Sequence, residues 1–173
     1  MVQAVPPRIL FFVGDIYEDL ELWYPLYRLI EAGCETVIAG ESIATFSGKH
    51  GYPCTAESLI ESVDSSNFDG LVIPGGFMPD KLRRNPAVLR LTREFDQQNK
   101  LIGMICHAGW IPISAGIVRG RTLTSTPGIK DDLENAGAIW LNKPVVKDRN
   151  LISARRPPDL PAFGAALVEA ISR

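Results

Sequence analysis

The chain has little with which to staple, ligate or anchor itself. Among its 173 residues are three cysteines, Cys34, Cys54 and Cys106, and two histidines, His50 and His107. An odd, scattered thiol set does not describe an exported disulfide scaffold and fits a reducing, cytoplasmic setting. With Cys106 and His107 directly adjacent, the ligand spacing of a structural zinc site is missing, and no metal is expected. Charge of one sign is also scarce in excess: 18 Lys and Arg against 20 Asp and Glu leave a net charge of −2. Such a chain has no field to gather nucleic acid or an anionic membrane surface, and neither partner is expected. Long hydrophobic runs are absent too, since Ile9–Val13 is too short to cross a bilayer or serve as a signal-peptide core. No Walker loop occurs and no GxGxxG follows a strand, so no nucleotide or other cofactor is expected.

What is present is an ordinary globular mixture, 46% hydrophobic and 22% charged. At this length roughly 70% of the unfolded chain's surface can be buried without staples. Neither a repeat nor a linker interrupts the chain, and the expectation is one domain over residues 1–173.

Strand and helix signals alternate. RILFFVG (Arg8–Gly14), ETVIAG (Glu35–Gly40), FDGLVIPGG (Phe68–Gly76) and KLIGMIC (Lys100–Cys106) are short, continuously apolar runs that end in turn residues or at a corner. Continuous rather than alternating apolarity marks strands covered on both faces. Between them, Leu26, Leu29 and Ile30 mark a helix ending at Gly33, with Pro25 expected to kink or restart it. Asn85-Pro86 starts a helix whose inner face is Val88, Leu91, Thr92 and Phe95. Ile111, Ala115 and Val118 mark another, stopped by Gly120. Short strands near Thr122, Val145 and Leu151, a helix over about 128–135, and a last helix bearing Phe163, Leu167, Ala170 and Ile171 complete the pattern. Residues 41–67 are least legible, and GKHGYP reads as a hairpin or loop excursion. Together these imply an α/β fold, a mostly parallel sheet with helices on both faces.

In such sheets ligands bind beyond the carboxyl ends of the strands. Cys106 stands there, where a strand becomes a helix within a residue or two. That corner has the geometry of a nucleophile elbow bearing a thiol, with the following helix N-terminus favouring the thiolate. The same position also suits a buried structural cysteine, and His107 suits a surface or satisfied histidine as well as a partner of the thiol. In Pro74-Gly75-Gly76 the backbone N–H groups of the two glycines can line an oxyanion pocket, although a double glycine is also a common turn. Glu18 follows the first strand closely enough to reach the elbow, where a raised pKa would let it donate to sulfur. Asp19 and Glu21 read as solvated first-turn acids.

The segments GDIYEDLELWYPLYRL, GKHGY, FDGLVIPGGFMPDKLR, GMICHAGW, TSTPGIKDDLENAGAIW and ISARRPPDLPAF, in this order, resemble the ThiJ/PfpI family of the class I glutamine amidotransferase-like superfamily over roughly Arg8 to Ala170. The resemblance implies a flavodoxin-like three-layer sandwich with Cys106 as nucleophile, Glu18 hydrogen-bonding the thiol and His107 as base. It also implies Asp80 reaching His107 from a neighbouring subunit, and N–H groups of Gly76 and His107 in the oxyanion pocket. Homo-oligomers, dimers or hexamers, follow by the same analogy. Ala108-Gly109 replaces the usual Gly-Pro after the histidine, which reshapes the pocket mouth, and Trp110 either lines that mouth or packs beside it. The implied activity is a cysteine-dependent stress-response reaction on carbonyls, converting methylglyoxal or removing glycation adducts. Its alternatives are an intracellular cysteine peptidase and, from another class, a non-enzymatic redox sensor or chaperone. The partners expected are a small carbonyl compound or a peptide.

Overall fold

Continuous apolar runs make the central sheet. The computed structural model describes residues 5–172. In it β1 (Arg8–Phe12), β2 (Glu35–Gly40), β6 (Gly70–Ile73) and β7 (Leu101–Ile105) pair in parallel, and β1, β6 and β7 are buried almost throughout. The short β5 (Ser58–Leu59) extends this sheet beside β2. At the other edge β11 (Leu151–Ala154) joins β7 in parallel, and β10 (Val145–Asp148) closes it antiparallel. The strand order is β10-β11-β7-β6-β1-β2-β5.

Helices cover the sheet to give the three-layer flavodoxin-like sandwich. α1 (Asp19–Glu31) packs on α6 (Leu160–Ile171), and α3 (Pro86–Gln97) on α4 (Trp110–Ala115). α3 begins as the sequence requires, with the Asn85 side chain accepting the N–H of Ala87 and Pro86 at the first helical position. Pro25 neither ends nor restarts α1. It removes one backbone donor, and burial of Leu22, Leu26 and Leu29 along one side outweighs that loss.

Several local expectations are corrected. α4 stops at Gly116, which takes φ +78°, rather than at Gly120, so Val118 belongs to the following loop. A helix α2 (Met78–Leu82) occupies what reads as a plain turn after Gly76, with Met78 and Leu82 buried one turn apart. GKHGYP, by contrast, is the hairpin turn that its glycines and proline indicate, joining β3 (Thr45–Ser47) to antiparallel β4 (Pro53–Thr55). The strand at Thr122, β8 (Thr122–Leu123), lies outside the main sheet and pairs with β9 (Ile139–Trp140), flanking α5 (Lys130–Asn135). Among the described residues no helix is long and apolar enough to cross a membrane.

Candidate active site

The carboxyl ends of β1, β6 and β7 converge at Cys106. β7 ends at Ile105 and residues Cys106–Gly109 form a single 3-10 turn, so the chain reverses its course at the cysteine. Cys106 takes φ +62°, a conformation costly for a residue with a Cβ and found where the surroundings over-determine it. The elbow expected from the sequence is therefore present, and its sulfur is half-buried. Ile16 on the neighbouring loop also has φ +62°, an outlier for a β-branched residue. Its carbonyl accepts the N–H of Phe77 at 2.9 Å, which fixes the β6–α2 loop against the end of β1.

The carboxyl at the thiol is that of Glu21, not Glu18. Glu21 shares the i, i+4 row of Pro25 and Leu29, the buried side of α1, and is itself 0% exposed. Its Oε2 accepts the N–H of Gly75 at 2.8 Å, and the carboxyl faces the Cys106 thiol. Glu18 caps the start of α1 in an extended conformation, and its side chain leaves toward the 48–50 turn. There it meets Lys49 Nζ at 3.6 Å and His50 Nε2 at 3.5 Å. Asp19 is likewise no solvated acid, because its carboxylate accepts the N–H groups of His50 and Tyr52. Glu18, Asp19 and His50 are close enough together to hold a cation. Lys49 already supplies the positive charge beside Glu18, and both oxygens of Asp19 are engaged.

Burial pushes the Glu21 carboxyl up to about 8, against the pull of the Gly75 N–H and with a further push from the charge of Glu18. Its Oε1 is buried without a hydrogen-bond partner, where a proton is tolerated better than a bare charge. The Cys106 thiol is pushed up to about 12, first by burial and then by a charged Glu21, while the N–H groups of His107 and Gly76 pull it back. Cys106 is thus not the freely ionised thiol expected of an elbow. Burial beside a carboxyl outweighs the local N–H groups, and α4 begins only at Trp110. Two anions at this spacing repel, so thiol and carboxyl share their protons: the pair loses the first at mildly alkaline pH and keeps the second.

His107 contacts its neighbour directly, with Nδ1 3.2 Å from Cys106 Sγ. Burial first, and then the charge of Lys49, lowers its pKa, which keeps the ring neutral at neutral pH.

The two glycines have separate tasks. Gly75 is not an oxyanion donor, since its N–H is spent on Glu21 and its carbonyl accepts the N–H of Glu18. The N–H groups that point at the sulfur belong to Gly76 and His107. Gly76 has φ +81°, and a Cβ there would lie 2.4 Å from the carbonyl oxygen of Ile16 and 2.6 Å from the nitrogen of Glu18. Both obstacles are backbone. Gly76→Ala is therefore expected to cost about 3 kcal/mol or more in urea unfolding and to displace the N–H from the sulfur. A loss under about 1 kcal/mol with full activity would contradict this packing.

Trp110 packs on His107, with ring centroids 5.1 Å apart, and donates its Nε1–H to Asp132 at 2.8 Å. Asp80 sits on α2, and among the described residues its carboxylate pairs with Arg84 at 2.6 Å and makes no ion pair with His107. A groove of about 600 Å³ lies along the outer side of α1, lined by Leu20, Trp23, Tyr27, His50 and Tyr52 among others. Cys106 does not line it.

Comparison with known proteins agrees with this architecture. A family model described as the DJ-1/PfpI family matches residues 7–170. Deglycase PH1704 of Pyrococcus horikoshii is 43% identical over 156 residues, covering 90% of this chain and 94% of that protein. General stress protein 18 of Bacillus subtilis is 41% identical over 150 residues, covering 85% and 87%. The crystal structure of a two-domain protein from Anabaena variabilis, containing DJ-1/ThiJ/PfpI-like and ferritin-like domains, matches with a TM-score of 0.95 at 34% identity. That match covers 96% of this chain and 48% of the longer one.

Proposed function

The chain belongs to the DJ-1/PfpI family, and on that premise we propose that it is a cysteine-dependent enzyme acting on reactive carbonyls, of the deglycase or glyoxalase type. The observation that carries this reading is the set of groups around one sulfur: two backbone N–H donors, a carboxyl able to hold a proton at neutral pH, and a neutral imidazole nitrogen at 3.2 Å. Relatives named as deglycases at 41–43% identity support it.

With methylglyoxal as substrate, the Cys106 proton passes to His107 Nδ1 as sulfur bonds to the aldehyde carbon. The carbonyl electron pair moves to oxygen, where the N–H groups of Gly76 and His107 receive the charge. The imidazolium returns its proton to that oxygen, which leaves a neutral hemithioacetal and a neutral ring. A base at the site then takes the proton on the former aldehyde carbon and delivers it to the adjacent carbonyl carbon through an enediol. The product is a lactoyl thioester on Cys106, which water cleaves to lactate and free thiol. The sum is methylglyoxal plus water giving lactate. A protonated Glu21 supplies a hydrogen bond to the sulfur whenever it carries charge.

Self-association belongs to the same proposal. Asp80 is 45% exposed and lies on the helix directly after Gly76, where it can meet His107 of a second copy.

Turnover measured in parallel on methylglyoxal, a glycated amino acid and a fluorogenic peptide tests the assignment. Lactate from methylglyoxal or release of the free amino acid is the expected result. Cleavage of the peptide alone would replace it with a peptidase, and a thiol that is oxidised by peroxide without any turnover would replace it with a sensor.

A further inference from the structure

The turn over residues 48–52 holds more structure than a hairpin connection requires. Asp19, 7% exposed, accepts the N–H groups of His50 at 2.8 Å and Tyr52 at 2.9 Å. The N–H of Lys49 donates to the carbonyl of Tyr17 at 2.7 Å, and that of Gly51 to Gly48 at 2.9 Å. A Cβ on Gly48 would lie 2.3 Å from Asp19 Oδ1, so glycine alone lets the turn seat this closely on the carboxylate. Tyr17, which receives Lys49, also bridges to Gly76. The turn is thereby held in register with the loop that aims its N–H at Cys106.

This seating delivers two side chains, Lys49 and His50, onto Glu18. The Glu18 carboxylate is 8% exposed, whereas Lys49 is 45% and His50 66% exposed. The acid lies beneath and the nitrogens lie above it. One contact at 3.6 Å does not use up an ammonium with three donors, and the outward side of Lys49 remains open. Lys49 is also near enough to the reacting groups for its charge to act on both Glu21 and His107.

We propose that Lys49, seated on Glu18 beside His50, is the specificity-determining cation of this site, and that it binds the carboxylate of substrates that carry one in addition to the reactive carbonyl. The substrate class is the 2-oxoaldehydes bearing a carboxylate. Their conversion is the methylglyoxal reaction with a longer tail: sulfur adds to the aldehyde carbon, one proton moves between the two carbonyl carbons, and water releases a 2-hydroxy dicarboxylate. Nothing is oxidised or reduced overall beyond this internal exchange. The inference rests on the carbonyl chemistry proposed above.

The test compares 4,5-dioxopentanoate with methylglyoxal as substrates of the full chain. Lys49→Met is expected to lower kcat/KM for the anionic compound at least about tenfold more than for the neutral one, chiefly through KM, and Lys49→Arg to restore most of that ratio. Added salt narrows the preference of the wild type. An equal loss on both substrates would overturn the proposal while leaving the carbonyl reaction standing. Should the wild type turn over neither compound, the proposed function fails, and binding still decides this point. Protection of Cys106 from iodoacetamide by 4,5-dioxopentanoate that disappears in Lys49→Met supports the carboxylate seat, and protection that persists overturns it.

Discussion

Replacing Cys106 by serine is expected to lower kcat/KM for methylglyoxal by about a thousandfold or more. The hydroxyl has a far higher pKa than the thiol and meets the same buried surroundings, which already push the thiol up to about 12. His107 cannot remove so tightly held a proton at neutral pH. Serine tolerates the backbone at φ +62° no worse than cysteine does, so the elbow itself should survive. Urea unfolding is accordingly expected to change by less than about 1 kcal/mol. Activity retained in the serine variant would remove the sulfur from the mechanism, and gross unfolding would make the activity loss uninformative, which is why both are measured together.

Glu21→Gln should cut activity by about a hundredfold and yet stabilise the protein at neutral and alkaline pH. The folded carboxyl, at about 8, sits well above its ordinary value of 4.5. Between those limits the unfolded chain gives up the proton while the folded chain keeps it. The folded state then binds more protons, and stability falls as pH rises through this window. Glutamine cannot ionise and does not share the fall. The two proteins should match near pH 4.5, and the variant should lead by on the order of 4 kcal/mol at pH 8. Glu18→Gln separates the two acids, since Glu18 faces Lys49 and His50 rather than the sulfur. A larger activity loss in Glu18→Gln than in Glu21→Gln would reverse the assignment. A stability gap that does not vary with pH would show that Glu21 is ionised in the fold.

Much of this site is legible in the chain alone, and the misses have local causes. An apolar run that stops at Cys106 and turns at once into a helical pattern identifies the elbow, because a strand feeding a helix so abruptly leaves one side chain at the apex. Three acids within four residues, Glu18, Asp19 and Glu21, hide the partner. The start of α1 fixes which of them points inward, and the spacing of Glu21 to Pro25 and Leu29 carries that signal once the helix phase is set by Leu22 and Leu26. Lys49 and His50 lie in the stretch that is hardest to read. Their position depends on a buried carboxylate, Asp19, accepting backbone N–H groups more than thirty residues away. No periodicity reports such a contact. The same holds for α2, too short for a helical period to emerge, and for β8 and β9, whose two-residue pairing is set by tertiary packing. Thiol acidity is not legible in the chain, because a helix N-terminus shows in a sequence and desolvation does not.

A reachable sulfur at the elbow shares its protons with a buried carboxyl. The rate at which iodoacetamide labels each cysteine of the native protein, followed across pH by peptide mapping, measures this sharing. Cys106 alone should react, with a rate still rising above pH 8 because its thiol is pushed up to about 12, while Cys34 and Cys54, 7% and 1% exposed with thiols held up by burial, stay protected. Labelling of Cys106 no faster than that of the other two, or a rate already at its plateau at pH 5, would contradict it.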